Sequence, residues 1–259
     1  MSNYWADRMA KIQTELSNKN IKQIEKQMAK YYGAAAKKVI DDFEATHNKI
    51  LAQQADGKPI TPADLYKLDK YWQMQGQLRQ ELRALGEKQV SLLTKYFEIQ
   101  FFDIYYSIDI EGHTAFSTIN KEGAQQLINQ IWVADGKSWS QRIWDNTEKL
   151  ADTLNEELLD VIITGKKSSE LKKKLQERFG VSYSQADSVT RTEIAHIQTQ
   201  AAQQRYKDYG IQEVEVWADA DERRCDVCGK LHQKRFPSNS QMPIPAHPRC
   251  RCCVIPVVK

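Results

Sequence analysis

The residues best suited to chemistry in this chain lie close to its C-terminal end, and all five cysteines follow residue 224. Cys225 and Cys228 are separated by two residues, and Gly229 comes directly after them. A C-x2-C pair can place two thiolates on one metal ion if the chain folds back between them, and glycine permits a sharp turn. The pair is therefore half of a predicted metal site.

A second group of metal-binding residue types follows in a proline-stiffened segment and contains His247, Cys250 and Cys252. Four soft or borderline ligands from two short clusters are what tetrahedral Zn²⁺ requires. His247 and Cys250 form one suitable pair. Cys250 and Cys252 form another, because residues two apart in an extended segment point to the same side. The sequence thus predicts a structural Zn²⁺ held by Cys225, Cys228, Cys250 and either His247 or Cys252.

Two alternatives to a metal site are disulfides and buried thiols without a shared role. Five cysteines leave one without a disulfide partner, and no secretory signal opens the chain. The adjacent Cys252 and Cys253 also have poor geometry for a disulfide. The spacing therefore favours zinc, and Cys253 is expected to point away from the metal as a small buried apolar residue.

Positive charge is concentrated at the C-terminal end. The formal net charge is +3, yet residues 221–259 contain eight basic and three acidic side chains, so they carry +5 while the first 220 residues carry −2. Basic patches suit phosphate backbones because each neutralised phosphate releases counterions. Alternatively, such residues offset thiolate charge or form solvated helix faces. The candidates for contact with nucleic acid are Lys166, Lys167, Lys172, Lys173, Lys174, Arg249 and Arg251.

Several pieces of the C-terminal third, in a fixed order and spacing, carry a family resemblance. Residues from about 164 to 256 resemble the C-terminal domain of the phage minor head proteins, also called head morphogenesis or Mu F-like proteins. His232 departs from this pattern, which leads us to expect an acidic residue there. The matching pieces are Arg191-Thr-Glu193, a strand ending in Trp217, Asp221-Glu-Arg-Arg-Cys225-x2-Cys228-Gly-Lys-Leu231, Phe236, and Ala246-His247-Pro-x-Cys250-Arg-Cys252-x3-Pro256.

The resemblance implies a structural minor head protein of a tailed phage or prophage. Such a protein acts in capsid assembly at the portal, inside the virion head, after synthesis in the host bacterial cytoplasm. Its expected partners are the portal protein, the major capsid or scaffolding protein, and double-stranded DNA bound without sequence preference. The resemblance further suggests that Arg191, Glu193 and Trp217 brace the zinc loop.

An enzyme is the competing function class. The sequence has no Ser-His-Asp set, phosphate loop or paired-carboxylate motif, and its zinc site leaves no open position for water. We therefore expect no enzyme activity and no small-molecule substrate. A zinc-dependent nucleic-acid-binding protein or nuclease is the alternative function, and catalysis by Glu193 with His196 is a minor one. The chain ends three residues after Pro256, which we interpret as leaving no room for a further enzyme domain.

The elements that must position these residues are mostly helices. Hydrophobic residues make up 41% of the chain and charged residues 27%, a composition that excludes a disordered protein. The longest apolar stretch, 96–110, is broken by polar residues, so we expect no membrane partner. We expect its aromatic residues partly in the core and partly against another subunit.

The predicted fold is mainly α, with long N-terminal helices packed as a bundle or hairpin and a small α+β end that carries a zinc-stapled loop. We expect two domains, residues 1–164 for docking on portal or capsid and residues 165–259 for the Mu F-like part. The predicted helices cover 1–50, a segment from Thr61 through Tyr105, one from Asn120 through Trp132, one from Ser138 to Gly165, a basic one from Ser168 or Ser169 to Gly180, and one from 182–184 to Gly210; the predicted strands are 213–217 and 254–258.

Overall fold

A computed structural model describes residues 2–52, 61, 69–164, 168–218 and 224–258. The prediction of a mainly helical chain with a small α+β end is confirmed. In chain order the elements are helices α1 (Ser2–Ala52), α2 (Asp69–Ser107), α3 (Lys121–Ile128), α4 (Trp139–Thr164) and α5 (Ser168–Asp208), strand β1 (Glu213–Trp217), helix α6 (Asp226–Leu231), and strands β2 (Arg235–Pro237) and β3 (Cys253–Pro256).

The chain divides into two compact units, each built from segments that are distant in sequence. Unit 1 contains Met1–Ile24, Leu92–Trp139 and Ser188–Lys259, and unit 2 contains Glu25–Ser91 and Ser140–Asp187. The predicted domains 1–164 and 165–259 are continuous in sequence, whereas these units group segments by contacts in space.

Helix α5 corrects the prediction that one helix ends at Gly180 and another begins at 182–184. It runs without a break from Ser168 to Asp208. An isolated glycine costs a helix only about 1 kcal/mol, and the burial of Leu175, Phe179 and Ala186 on one face offsets that cost. Packing therefore outweighs the local stop signal.

Helix α3 is shorter than predicted. Asn120 caps its start by accepting a hydrogen bond from the Gly123 N–H at 2.8 Å, but the helix ends at Ile128 and does not reach Trp132. The N–H of Asn129 bonds back to the Gln125 carbonyl, and the Asn129 side chain does the same, which closes the last turn. The predicted turn at 53–59 and the Thr61-Pro62 helix start lie largely outside the described residues.

Unit 1 contains a three-stranded antiparallel sheet in the order β2-β1-β3. Val214 lies opposite Phe236 on one side and Pro256 on the other, so β3 is an edge strand as Pro256 requires. The Tyr206 hydroxyl of α5 donates to the Val254 carbonyl at 3.2 Å. The sheet is thereby tied to the C-terminal half of α5.

The aromatic residues of α2 form much of the core of unit 1. Phe97, Phe101 and Tyr105 are fully buried, and Phe97 meets Trp139 edge to face at 5.1 Å. Tyr106 is 61% exposed. In the described part of the chain, no helix is both long and apolar enough to span a lipid bilayer.

Candidate metal centre

Cys225 and Cys228 lie on the first turn of α6. Cys225 is the N-cap residue, its Sγ accepts a hydrogen bond from the Cys228 N–H at 3.4 Å, and its carbonyl accepts one from the Gly229 N–H at 2.8 Å. The expected sharp turn at Gly229 is instead this short helix, in which residues three apart share a face. Helix capping thus directs both sulfurs to one side.

His247 and Cys250 approach this pair from the loop before β3. The Nε2 of His247 lies 3.2 Å from the Cys228 Sγ, and the Cys250 Sγ lies 3.7 Å from it. The Nδ1 of His247 is 2.9 Å from the Pro248 carbonyl, so it serves as the donor nitrogen and leaves the Nε2 lone pair facing the cysteines. This is the orientation that a metal-binding imidazole needs.

The side-chain atoms of this cluster could hold a metal ion. Two groups have all ligand atoms within 4.8 Å of one another, Cys225 with Cys228 and His247, and Cys228 with Cys250 and Cys252. A Zn–S bond of about 2.3 Å places two sulfurs on one tetrahedral ion about 3.8 Å apart. The 3.7 Å separation of Cys228 and Cys250 agrees with that value. The sequence offers two alternatives for the fourth ligand, His247 and Cys252. A ligand atom of each lies in this cluster of five atoms around Cys228.

Within this cluster, Cys250 is the thiol that loses its proton most easily. A hydrogen bond from Cys252 lowers the pKa of Cys250 to about 5, and the same bond together with burial raises the pKa of Cys252. Burial raises the pKa of Cys228 to about 12, and a backbone hydrogen bond from Cys228 lowers the pKa of Cys225. Because a metal binds thiolates, metal uptake by this cluster must release protons.

A known protein family matches the C-terminal part of the chain. Residues 152–255 match the family model described as Phage Mu protein F like protein. The chain contains a Mu F-like domain of the phage head morphogenesis family. The match includes the whole Cys/His cluster and the Arg191-Thr-Glu193 piece, which confirms the family resemblance proposed from the sequence.

A curated relative shares a longer part of the chain. It is named NAD(+)--arginine ADP-ribosyltransferase EFV, comes from Enterococcus faecalis (strain ATCC 700802 / V583), and is 26% identical over 184 residues. The matched segment covers 63% of this chain but 37% of that relative. No solved structure matches the chain.

The loop before β3 that carries His247, Cys250 and Cys252, here called the metal loop, is tied to α5 by Thr192. The Thr192 Oγ1 accepts a hydrogen bond from the Arg249 N–H at 3.1 Å and donates one to the Ser188 carbonyl at 2.7 Å. Arg249 has a left-handed backbone with φ of 60°, which reverses the chain between His247 and Cys250. Thr192 is the middle residue of Arg191-Thr-Glu193, so the motif contained this signal, but the sequence prediction of bracing residues named only Arg191 and Glu193 in it.

Glu193 and His196 hold the segment after α3. Glu193 is buried, and its Oε2 accepts a hydrogen bond from the Trp132 Nε1 at 3.0 Å. The Trp132 ring stacks on His196 at 4.4 Å. Burial lowers the pKa of His196 to about 3, so the imidazole is neutral near pH 7.

Trp217 and His232 meet where β1 ends. Trp217 lies opposite Cys253 in the sheet and contacts the His232 ring edge to face at 4.7 Å. His232 also accepts a hydrogen bond from the Ala218 N–H at 3.3 Å through Nδ1. The residue that departs from the family pattern thus binds the end of β1 to α6. Cys253 is buried and lies outside both metal-binding groups.

The basic residues proposed for nucleic acid fall in different surroundings. Lys172 and Lys173 are exposed on α5, and Arg249 and Arg251 are exposed in the metal loop. Lys174 forms ion pairs with Glu157 at 2.6 Å and Asp160 at 2.9 Å. Lys166 and Lys167 lie outside the described residues.

Proposed function

We propose that this chain is a structural minor head protein of a tailed phage or prophage, acting in capsid assembly at the portal. The observation that carries the proposal is the Mu F-like match over residues 152–255, which contains every member of the Cys/His cluster. The protein is made in the host bacterial cytoplasm and resides inside the head near the portal.

We propose Zn²⁺ as the structural metal of this protein. Cys225, Cys228 and Cys250 supply three thiolates, and His247 or Cys252 supplies the fourth ligand. Four protein ligands close a tetrahedral site, so the ion joins α6 to the loop before β3 and leaves no position for a reacting water. Thiolate and imidazole ligands favour zinc over the oxygen-preferring Mg²⁺ and Ca²⁺.

A second candidate function is the reaction in the name of the E. faecalis relative. Its support is a shared segment that covers 63% of this chain, although this chain spans only 37% of that protein. Incubation with NAD⁺ and an arginine analogue, with mass spectrometry of the products, separates the candidates. A structural head protein leaves both compounds unchanged. Formation of an ADP-ribosylated analogue would contradict our proposal and identify the chain as an enzyme.

Association with head components tests the structural proposal directly. The full chain, carrying an affinity tag, is co-expressed with the portal, major capsid and scaffolding proteins of its own phage. We expect the portal protein to co-purify at a fixed ratio that persists in moderate salt. An unrelated phage portal serves as the control. Recovery of the chain without any head component would contradict the proposal.

A further inference from the structure

Phe116, in the segment between α2 and α3, is the most exposed of the large apolar side chains in the described part of the chain, at 83%. Its backbone is nevertheless held in place. The Phe116 N–H donates to the Asp208 carbonyl at 2.6 Å, and the Ser117 hydroxyl donates to the Asp208 carboxylate at 2.6 Å. The ring lies next to Gly210, where an added Cβ would come within 2.9 Å of the Phe116 Cε2. An apolar ring is therefore presented to water from a fixed backbone.

A second aromatic ring is exposed beside the same anchoring residue. Tyr106, in the last turn of α2, is 61% exposed and meets the Tyr105 ring edge to face at 5.0 Å. Tyr105 is buried, and its hydroxyl donates a hydrogen bond to the Asp208 carboxylate. Asp208 thus joins the end of α2 to the segment that carries Phe116. Two exposed aromatic rings around one buried carboxylate fit a protein contact, because aromatic residues are enriched in interfaces.

The stretch of chain that carries both rings is negatively charged. Residues 96–120 contain four acidic side chains and neither Lys nor Arg. One of the four, Glu98, forms an ion pair with Lys121 at 3.4 Å, which leaves three. Residues 205–208 of α5, which hold this stretch, contain two basic side chains and one acidic one, so the total is −2. We call this surface the acidic face, and its members are Asp103, Tyr106, Asp109, Glu111 and Phe116.

A surface of opposite charge lies on α6 and on the turn that follows it. Val227 is 55% exposed, and Lys230 is exposed three residues further on, whereas Cys228 is buried toward the metal cluster. The N–H of Lys234, also exposed, donates to the Leu231 carbonyl at 3.1 Å. Residues 224–235 contain four basic side chains and one acidic one, and Arg235 pairs with Glu215 at 3.3 Å, which leaves +2. We call this surface the basic face, and its members are Arg224, Val227, Lys230 and Lys234.

We propose that the acidic face of one copy of this chain binds the basic face of a second copy. The net charges of −2 and +2 attract each other and fix the orientation of the contact. Phe116 and Tyr106 then leave water against Val227 and the aliphatic stems of the lysines. Because the backbone of Phe116 is already fixed, little conformational entropy is lost when its ring is buried. Both faces belong to unit 1, and the proposal does not depend on the head-protein function.

Sedimentation equilibrium of the full chain, at concentrations of about 1 to 100 μM, measures this association. In about 50 mM salt the mean molar mass should rise with concentration, and it should rise less in about 500 mM salt because salt screens the charged faces. Phe116→Ser should raise the Kd roughly tenfold or more, since it removes the aromatic anchor of the contact. Val181→Ser is the matched control, because Val181 is 54% exposed but lies in unit 2, and it should leave the Kd unchanged.

Two charge reversals test whether the faces meet each other. Glu111→Lys alters only the acidic face and Lys230→Glu only the basic face, so each variant alone should stay monomeric where the wild type associates. Mixed in equal amounts, they should form a one-to-one dimer. The Lys230→Glu copy keeps a wild-type acidic face and the Glu111→Lys copy a wild-type basic face, so one intact contact remains. Metal content and melting temperature are measured for each variant to show that the fold is intact.

Three results would overturn the proposal. They are a wild-type chain that stays monomeric at about 100 μM, a charge-reversed variant that associates as well as the wild type, and a mixture of the two variants that remains monomeric. If the wild type is monomeric, loss of portal binding in Phe116→Ser would assign the acidic face to the portal protein instead. Association of the wild type with the portal protein is measured separately, so failure here leaves the head-protein function standing.

Discussion

The side chain of Thr192 and the backbone of Arg249 are joined by a hydrogen bond of 3.1 Å, although 57 residues separate them in the chain. The bond joins α5 to the reversal that places His247 and Cys250 side by side. The metal loop is therefore oriented from outside by a residue that is not a metal ligand, as is common around structural and catalytic metals.

Replacing Thr192 with valine should weaken both the fold and metal binding. The change keeps the shape but leaves the Arg249 N–H without its partner, so we expect a loss of about 1 to 2 kcal/mol in the free energy of unfolding and faster metal release to a chelator. Thr153→Val is the matched control, because the Thr153 hydroxyl donates a hydrogen bond to the Lys149 carbonyl of its own helix. Equal effects of the two changes on metal release would contradict the assigned role.

Removal of the central cysteine should abolish metal binding. Cys228 belongs to both groups of ligand atoms, so we expect Cys228→Ser to lose the one zinc per chain and to lower the melting temperature by on the order of 10 °C. Cys253→Ala is the control that should retain zinc. Metal analysis after dialysis gives the content of each variant, and a metal-free wild type of unchanged stability would refute the site.

The fourth ligand is identified by a pair of variants. If His247 completes the site, His247→Ala should lose zinc and Cys252→Ser should keep it, and the reverse should hold if Cys252 completes it. Cobalt substitution adds a spectroscopic measurement, because the intensity of the thiolate-to-metal absorption reports how many sulfurs bind. Retention of zinc in both single variants would show that either residue can serve.

Acid should destabilise the protein partly through His196. Its pKa is lowered to about 3 by burial, from an ordinary 6.5, so below pH 6.5 the unfolded chain gains a proton that the folded chain excludes. Stability is therefore lost as pH falls, by about 1.4 kcal/mol per pH unit between those two values. His196→Phe keeps a ring against Trp132, and between pH 7 and 5 it should lose about 2 kcal/mol less than the wild type in urea unfolding. His113→Gln, at an exposed position, should behave like the wild type.

Two glycines of α2 should respond oppositely to alanine. A Cβ built on Gly86 would lie 2.5 Å from the Trp144 Cζ3, whereas one on Gly76 would have nothing within 4 Å. Gly86→Ala should therefore destabilise the fold by about 1 to 3 kcal/mol, and Gly76→Ala should stabilise it by about 0.5 to 1 kcal/mol. Denaturant unfolding of both variants measures the difference, and stabilisation by Gly86→Ala would show that Trp144 moves freely.

Binding of DNA through the exposed basic residues should be independent of sequence and strongly dependent on salt. Some six phosphate contacts would cost roughly a thousandfold in affinity between 50 and 200 mM salt. Lys173→Gln should reduce the slope of the logarithmic salt plot by about one, whereas Lys149→Gln should leave it unchanged. We expect no cleavage with Mg²⁺, Mn²⁺ or Zn²⁺. Cleavage abolished by His247→Ala would favour the nuclease instead.

Local signals in the sequence indicated the long helical segments, strands β1 and β3 and the metal-binding residue types, but not α6 or β2. The alternation in 213–217 gives a strand and Asn120 begins a helix, because each depends on residues within a few positions of one another. At the C-x2-C pair the sequence predicted a sharp turn, and the structure has a short helix there. The same local signals failed at Gly180, where the burial of residues on both sides keeps α5 continuous.

The tertiary structure alone decided which distant residues meet. No spacing pattern connects Gln13 with Gln198, Thr192 with Arg249, or Trp132 with Glu193 and His196. Each of these contacts depends on how whole helices pack and on the path of the loop before β3. Backbone preferences and side-chain periodicity act within one element, whereas the burial of apolar faces determines which elements touch and therefore which polar groups face one another.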